Sequence, residues 1–195
     1  MAEPTPLLLP LKPATVGAHL WTHNQFVADG WRAIADDAPL PDGGRPLLSL
    51  GRWRKEREAL ARRGARIGLV VQAGEALDPA TDDVAGLAVI ALVFPKFTDG
   101  RAYSTARRLR EHWGFQGELR ATGDVLLDQL PLMLRAGFDA FEIVDAATVR
   151  ALARGHLPAV TRVYQPATEA AARNWRPRRP VVAGEARAVR VEAAE

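Results

Sequence analysis

Three cations and two carboxylates stand on polar, glycine-bearing stretches in the middle of the chain: Lys96, Arg101 and Arg120, with Asp99 and Asp124. Such a set suits a small oxyanion. The forked guanidinium donors of Arg101 and Arg120 match the geometry of an anion's oxygens, and the Lys96 ammonium adds a point charge. Asp99 or Asp124 could then act as general acid or base while Arg101 orients the oxyanion. Tyr103 and Ser104 add hydroxyls that could donate a proton, attack, or contact a phosphate-like group. A plainer reading stands beside each of these. An aspartate ahead of a helix is commonly its N-cap, and an arginine commonly pairs with a neighbouring carboxylate.

These groups have to be positioned by a run of strand-to-helix passages between residues 94 and 143. Residues 87–94, LAVIALVF, form a continuous apolar run rich in β-branched side chains, the pattern of a strand buried on both faces of a parallel sheet. After Pro95 and the turn formers Thr98, Asp99 and Gly100, apolar Ala102, Ala106, Leu109 and Trp113 recur at helical spacing, with Thr98 or Asp99 as the expected N-cap. Gly114 and Gly117 close that helix, residues 118–121 read as a second strand, and Thr122, Gly123 and Asp124 are expected to cap the next helix. Pro131 removes a ladder donor there, which predicts a kink or two short helices meeting near residue 130. Gly137 stops that helix, residues 140–144 read as a third strand, and Asp145 caps a helix over 146–154. Parallel strands joined by helices bring their strand-to-helix loops to one sheet edge. Lys96, Asp99, Arg101, Arg120, Asp124, Glu142 and Asp145 are therefore expected to converge at that edge, where helix N-termini favour an anion.

Upstream, residues 26–27 and 31–34 read as short strands that add to the sheet antiparallel, and residues 41–44 as a turn. A helix is expected over 53–63, a strand over 67–71, and a brief helical turn from residue 78. The expected fold is α/β: a mainly parallel sheet of four or five strands built from consecutive β-α units. It forms one domain over residues 26–165, preceded by an irregular extension, 1–25. Residues 166–195, rich in Ala, Arg, Glu and Pro, are expected to be a mobile tail, since they offer little apolar area to offset the entropy of ordering.

The segments FPKFTDGRAYSTARRLRE, GELRATGDVLLDQL and GFDAFEI occur in an order and at spacings that resemble a bacterial domain-of-unknown-function family often labelled "oxidoreductase probably involved in sulfite reduction". The resemblance covers about residues 45–165. It implies a role in assimilatory sulfate reduction beside a sulfite or nitrite reductase. It also marks Phe94, Pro95, Phe97, Asp99, Gly100 and Arg101 as one motif, and Gly117, Glu118, Leu119, Arg120, Ala121, Gly123, Asp124, Asp128 and Gln129 as another. Gly100, Gly123, Asp128 and Gln129 thereby join Lys96, Arg101, Tyr103, Ser104 and Arg120 as candidate ligand-binding residues. Where the family often carries a cysteine, this chain reads Arg135, Ala136, Gly137 and Phe138.

Composition narrows the chemistry. The chain has no cysteine, so it cannot form a disulfide, hold an iron–sulfur cluster through thiolates, or use a redox thiol. No G-x-G-x-x-G follows a strand, which removes the usual dinucleotide fingerprint. No cofactor is expected from these motifs, although a flavin stays compatible because flavin sites need no fixed short motif. His19 and His23 stand four apart without a third ligand, so no metal is expected. Ser104 has no histidine base in these motifs, which argues against a serine hydrolase. At 195 residues and 48% hydrophobic the chain suits one domain, and falls short of the about 250 residues of a complete eight-fold α/β barrel. The formal charge is only +3, and no concentrated basic stripe with interleaved aromatics argues for nucleic acid. Arg52, Arg54, Lys55, Arg57, Arg62, Arg63 and Arg66 read as a solvated helix face or a dock for an acidic partner, with Trp53 as core or anchor. The apolar stretch near residues 7–9 is too short for a membrane span and lacks the basic start of a secretory signal, so a cytoplasmic protein is expected. Two functional readings stay open. One is an accessory protein of sulfite reduction that binds an anion or docks to the reductase; the other is a small pathway enzyme working at the loop site.

Overall fold

The computed structural model describes residues 18–63 and 66–159. The tail from residue 166 and most of the expected N-terminal extension lie outside these residues.

The chain is α/β, but its sheet has eight strands rather than four or five, in the order β2-β1-β8-β7-β6-β5-β4-β3. They are β1 His19–Thr22, β2 Gln25–Val27, β3 Trp31–Ala33, β4 Arg45–Ser49, β5 Gly68–Val71, β6 Val89–Phe94, β7 Glu118–Gly123 and β8 Ala140–Ile143. From β3 to β8 every pairing is parallel, while β1 pairs antiparallel with both β2 and β8. Two expectations are corrected here. Residues 19–25 supply strands rather than irregular chain, and residues 31–33 join the parallel set. Their runs of three or four residues are too short to show the long apolar stretch that marks a buried strand.

The helices are α1 Leu50–Arg63, α2 Arg101–Glu111, α3 Leu130–Ala136 and α4 Ala146–Ala153. α1 starts three positions earlier than its pattern predicts. A 3-10 turn, Leu127–Gln129, precedes α3, and Pro131 sits in the first turn of α3, where a missing N–H costs nothing. The two short helical pieces expected near residue 130 are thus present. Gly137 ends α3 in the left-handed conformation at φ 104°, and Asp145 caps α4 by accepting from the Thr148 N–H. The N-cap of α2 is Gly100, without a side-chain cap, so neither Thr98 nor Asp99 fills that role. Nor do residues 122–124 cap a helix, since β7 runs on to Gly123.

Strands β3 to β8 lie in chain order, so each crossover steps in the same direction. Right-handed crossovers then place every helix on one face. The packing agrees: Trp53, Leu60, Ala106, Leu109, Leu130, Met133 and Leu152 from the helices join outward strand residues such as Leu69, Ile90, Leu92, Phe94, Leu119 and Phe141 in one core. A smaller core holds strand residues alone: Trp31, Leu47, Val70, Val89 and Ala91. That second core marks the concave face of a strongly curled sheet.

The curl is measured by the chain itself. β2 and β3 are the two edges of the sheet, yet only residues 28–30 separate them, with no turn or bend. Val27 and Trp31 can therefore lie at most about 14 Å apart. Residues 25–33 act as one extended run whose first part pairs with β1 and whose last part pairs with β4, forming the seam of a barrel-like wall. Alternation along this run turns Val27, Asp29, Trp31 and Ala33 inward.

Gly68 shows how tightly the lumen is filled. It faces inward beneath Trp31, and a Cβ there would run into the side chains of Val89 and Leu47. Gly68→Ala should therefore overpack the lumen and cost about 1–3 kcal/mol of stability, read as a lower urea midpoint at unchanged slope.

Candidate functional site

The carboxyl rim of the parallel strands carries the β6–α2 loop, residues 95–100, and this loop is clamped from the side. The Phe97 N–H donates to Asp124 Oδ2 at 2.8 Å, and Gln129 Nε2 donates to the Phe97 carbonyl at 2.6 Å. Asp124 and Gln129 follow β7, so the loop after one strand is held by the loop after the next. Gly123 makes the approach possible. It has φ +97°, and a Cβ there would meet the Phe94 carbonyl. With its backbone pinned on both sides, Phe97 presents its ring to solvent at 52% exposure, next to exposed Lys96.

Phe97 is not isolated. Leu132 is 57% exposed and Val144 44%, and these three are the exposed large apolar side chains among the described residues. Leu132 lies one helical turn beyond Gln129, which holds Phe97, and Val144 directly follows β8, the strand beside β7. All three belong to the rim over β6, β7 and β8.

The sequence-predicted residues divide into groups that do not share one pocket. Arg101 is exposed at the start of α2, where its guanidinium binds both oxygens of Asp99, at 2.9 Å from Nε and 2.6 Å from Nη2. These bonds, with the Arg101 N–H, hold the Asp99 carboxyl down at about 2. A carboxylate so strongly held in its charged form is a poor general base at neutral pH. Asp124 serves the loop clamp. Ser104 is exposed on α2, and Asp128 is exposed on the 3-10 turn. Tyr103 packs edge-on against Phe94, with ring centres 5.3 Å apart, and burial followed by the charge of Asp128 pushes its hydroxyl up to about 12.

Arg120 lies elsewhere. Register puts it on the inward face of β7, opposite Ala91 and Ala140, and only 1% of it is exposed. Its Nη1 donates to Asp29 Oδ2 at 2.6 Å and its Nε to Glu118 Oε1 at 2.8 Å. Burial alone would lower its pKa, but the Asp29 hydrogen bond and the two carboxylate charges outweigh burial and raise it. Arg120 is therefore committed inside the wall and does not meet Arg101. Glu142 also faces inward, accepting from Thr122 Oγ1 at 2.7 Å. Asp29 was not legible as Arg120's partner because the pair is separated by 91 positions. The alternating run 25–33 is the signal that could have placed it inside.

At the opposite rim Arg110 fastens α2 to the sheet. It donates to the carbonyls of Gly137, Phe115 and Gly117 and to Asp139 at 2.9 Å. Burial pushes the Asp139 carboxyl up to about 6, against the pull of Arg110 and the Leu119 N–H. On the basic helix, Trp53 and Arg52 are buried, Arg54 forks onto Asp82, and Arg57 reaches the Thr81 carbonyl. Arg52, Arg54 and Arg57 are thus engaged with their own chain, while Lys55, Arg62 and Arg66 are exposed. No helix forms between β5 and β6, and a groove of about 1120 Å³ lined by Trp53, Leu60, Ile67, Val84, Leu87 and Trp113 lies on that side. Among the described residues no group of three or more His, Cys, Asp or Glu could hold a metal, and no helix is long and apolar enough to cross a membrane. His19 lies on a strand and His23 in the turn after it, not on one helical face.

These features define a small α/β protein with a strongly curled, barrel-like sheet and a clamped loop on its carboxyl rim. Residues 68–175 match a family described as "Bacterial protein of unknown function (DUF934)", and the chain belongs to that family. The match begins at β5, later than the resemblance suggests, and extends to residue 175. No curated protein matches the chain.

The Asp99–Arg101 pair yields a direct check. In an NMR titration the Asp99 carboxyl should have its midpoint near 2, and Arg101→Ala should move it up toward the ordinary value of about 4. An unchanged midpoint in the variant would show that the pair does not form in solution.

Proposed function

We propose that this chain is a cytoplasmic accessory protein of assimilatory sulfate or sulfite reduction, and that it docks to the sulfite or nitrite reductase through the rim over β6, β7 and β8. The pathway rests on the motif resemblance. The docking mode rests on one observation: the exposed large apolar side chains among the described residues, Phe97, Leu132 and Val144, follow the carboxyl ends of β6, β7 and β8, and Phe97 is hydrogen-bonded at both its N–H and its carbonyl by the segment after β7. A pre-ordered aromatic anchor loses little entropy on binding, which is what a hot spot requires. Lys96 beside it supplies a charge that can steer an acidic partner.

Docking is favoured over anion capture by the state of the arginines. Arg101 is taken up by Asp99 and Arg120 by Asp29 and Glu118, so Lys96 alone keeps a free charge from the original set. The enzyme reading meets the same obstacle, because Asp99 is held ionised and Asp124 is spent on the Phe97 backbone.

The test is binding to the purified reductase by surface plasmon resonance, alongside growth on sulfate of a deletion strain complemented with each variant. Phe97→Asp and Leu132→Asp should each weaken binding at least tenfold and impair growth, while Arg101→Ala should leave both near wild type. Unchanged binding in both rim variants would refute the docking surface, and full growth of the deletion strain would refute the pathway.

A further inference from the structure

The exposed apolar side chains after β6, β7 and β8 stand on the side from which the chain enters β1. β1 runs antiparallel to β8, with His19 opposite Ile143 and Thr22 opposite Ala140. Continuing that register by one position sets Ala18 opposite Val144, which is 44% exposed. The polypeptide therefore comes into β1 from the carboxyl rim, and the residues before Ala18 approach from the side on which Phe97 and Leu132 are exposed.

Those preceding residues, 1–17, lie outside the described residues, and their sequence matches the rim in kind. Leu7, Leu8, Leu9 and Leu11 put four leucines into five positions. Reach decides whether they can meet Phe97. Nine residues separate Leu9 from Ala18, an extended span of about 30 Å. β8 and β6 are two strand spacings apart, about 10 Å, and Phe97 follows the end of β6 by three residues, which adds about 10 Å at most. The span exceeds the need. Leucines laid over Phe97, Leu132 and Val144 remove apolar area from water on both sides of the contact.

We propose that residues 7–11 of the same chain cover the rim formed by Phe97, Leu132 and Val144, so that the rim is occupied by its own chain until a partner displaces it. The contact stands on register, reach and apolar match; only the competition with a partner rests on the docking reading above. A rim left open one-third of the time binds its partner about threefold more weakly than a rim always open.

The test exploits the absence of cysteine, since Thr5→Cys gives the full chain a single attachment point for a nitroxide label. Relaxation enhancement of backbone amides is measured in this chain, in the same chain carrying Leu7→Ser, Leu8→Ser and Leu9→Ser, and in the same chain carrying Phe97→Asp and Leu132→Asp. A segment that is tethered at Ala18 without binding brushes the rim equally in all three, so the difference between them carries the test. The expected enhancement is strongest around Phe97, Leu132 and Val144 and falls by at least half in both substituted chains, with the amide pattern elsewhere unchanged as the check on folding. Equal enhancement in all three chains, or none at the rim, would overturn the proposal. So would enhancement passed from a labelled chain to an unlabelled one, which would assign the leucines to a second copy. Deleting residues 1–12 should raise affinity for the purified reductase about threefold. Unchanged affinity would overturn the competition, whereas a reductase that binds neither chain, with the enhancement intact, would remove the docking reading and leave the contact standing.

Discussion

A single buried guanidinium organises this fold. Arg120 sits on β7 near the middle of the sheet and reaches across the concave face to Asp29, which lies on the run joining the two sheet edges. Burying a guanidinium without partners costs several kcal/mol, and here Asp29 and Glu118 both compensate it. Asp29 can reach Arg120 only if the sheet curls, and the three-residue passage from β2 to β3 can be made only under the same condition. The ion pair and the seam thus require one geometry. Hydrophobic packing of Trp31 over Gly68 adds area to that arrangement, but a guanidinium with directional bonds is what specifies it.

The curl then decides what the motif residues can do. Side chains alternate along β7, so Glu118, Arg120 and Thr122 point into the lumen while Leu119 and Ala121 pack under the helices. A motif that reads in sequence as one charged cluster is thereby split between the inside of the wall and its rim. Asp124 and Gln129, past the end of β7, turn sideways to grip the Phe97 backbone. Much of the recurrent pattern is architecture, and what it presents to solvent is Phe97, which carries no chemistry of its own.

How far this could be read from sequence depended on the range of the interactions. Strands β5 to β8 were legible from their short apolar runs, and the helices α2 and α4, the stop at Gly137, the cap at Asp145 and the break before Pro131 because each rests on contacts between residues a few positions apart. β1 and β4 were not. β1 is only four residues long and is fixed by pairing with β8, far along the chain, and β4 reads in sequence as the lead into α1. The short strands over residues 25–27 and 31–33 were legible, but the parallel pairing of the second with β4 was not. The candidate site suffered for the same reason. Convergence at the carboxyl edge was a correct rule for loops, but Arg120 and Glu142 lie within strands, and whether such a residue faces the lumen or the helices depends on register, which composition does not reveal.

Register also explains why a chain with 23 arginines and three lysines need not present an anion-binding surface. Arg110 satisfies three carbonyls and a carboxylate, Arg54 forks onto Asp82 and the Ala76 carbonyl, and Arg52 joins Glu56 to the Ala35 carbonyl. Each fastens a helix to a loop or strand end whose carbonyls would otherwise lack donors. A lysine could not substitute, since its ammonium is a compact charge without a planar fork, whereas the guanidinium spans acceptors from separate segments. Short strands leave many chain ends around the wall, and every end exposes backbone groups that need partners. Arg52, Arg54, Arg110 and Arg120 therefore serve the joinery of a small curled sheet, and the surface left for recognition is set by the groups that this joinery does not consume.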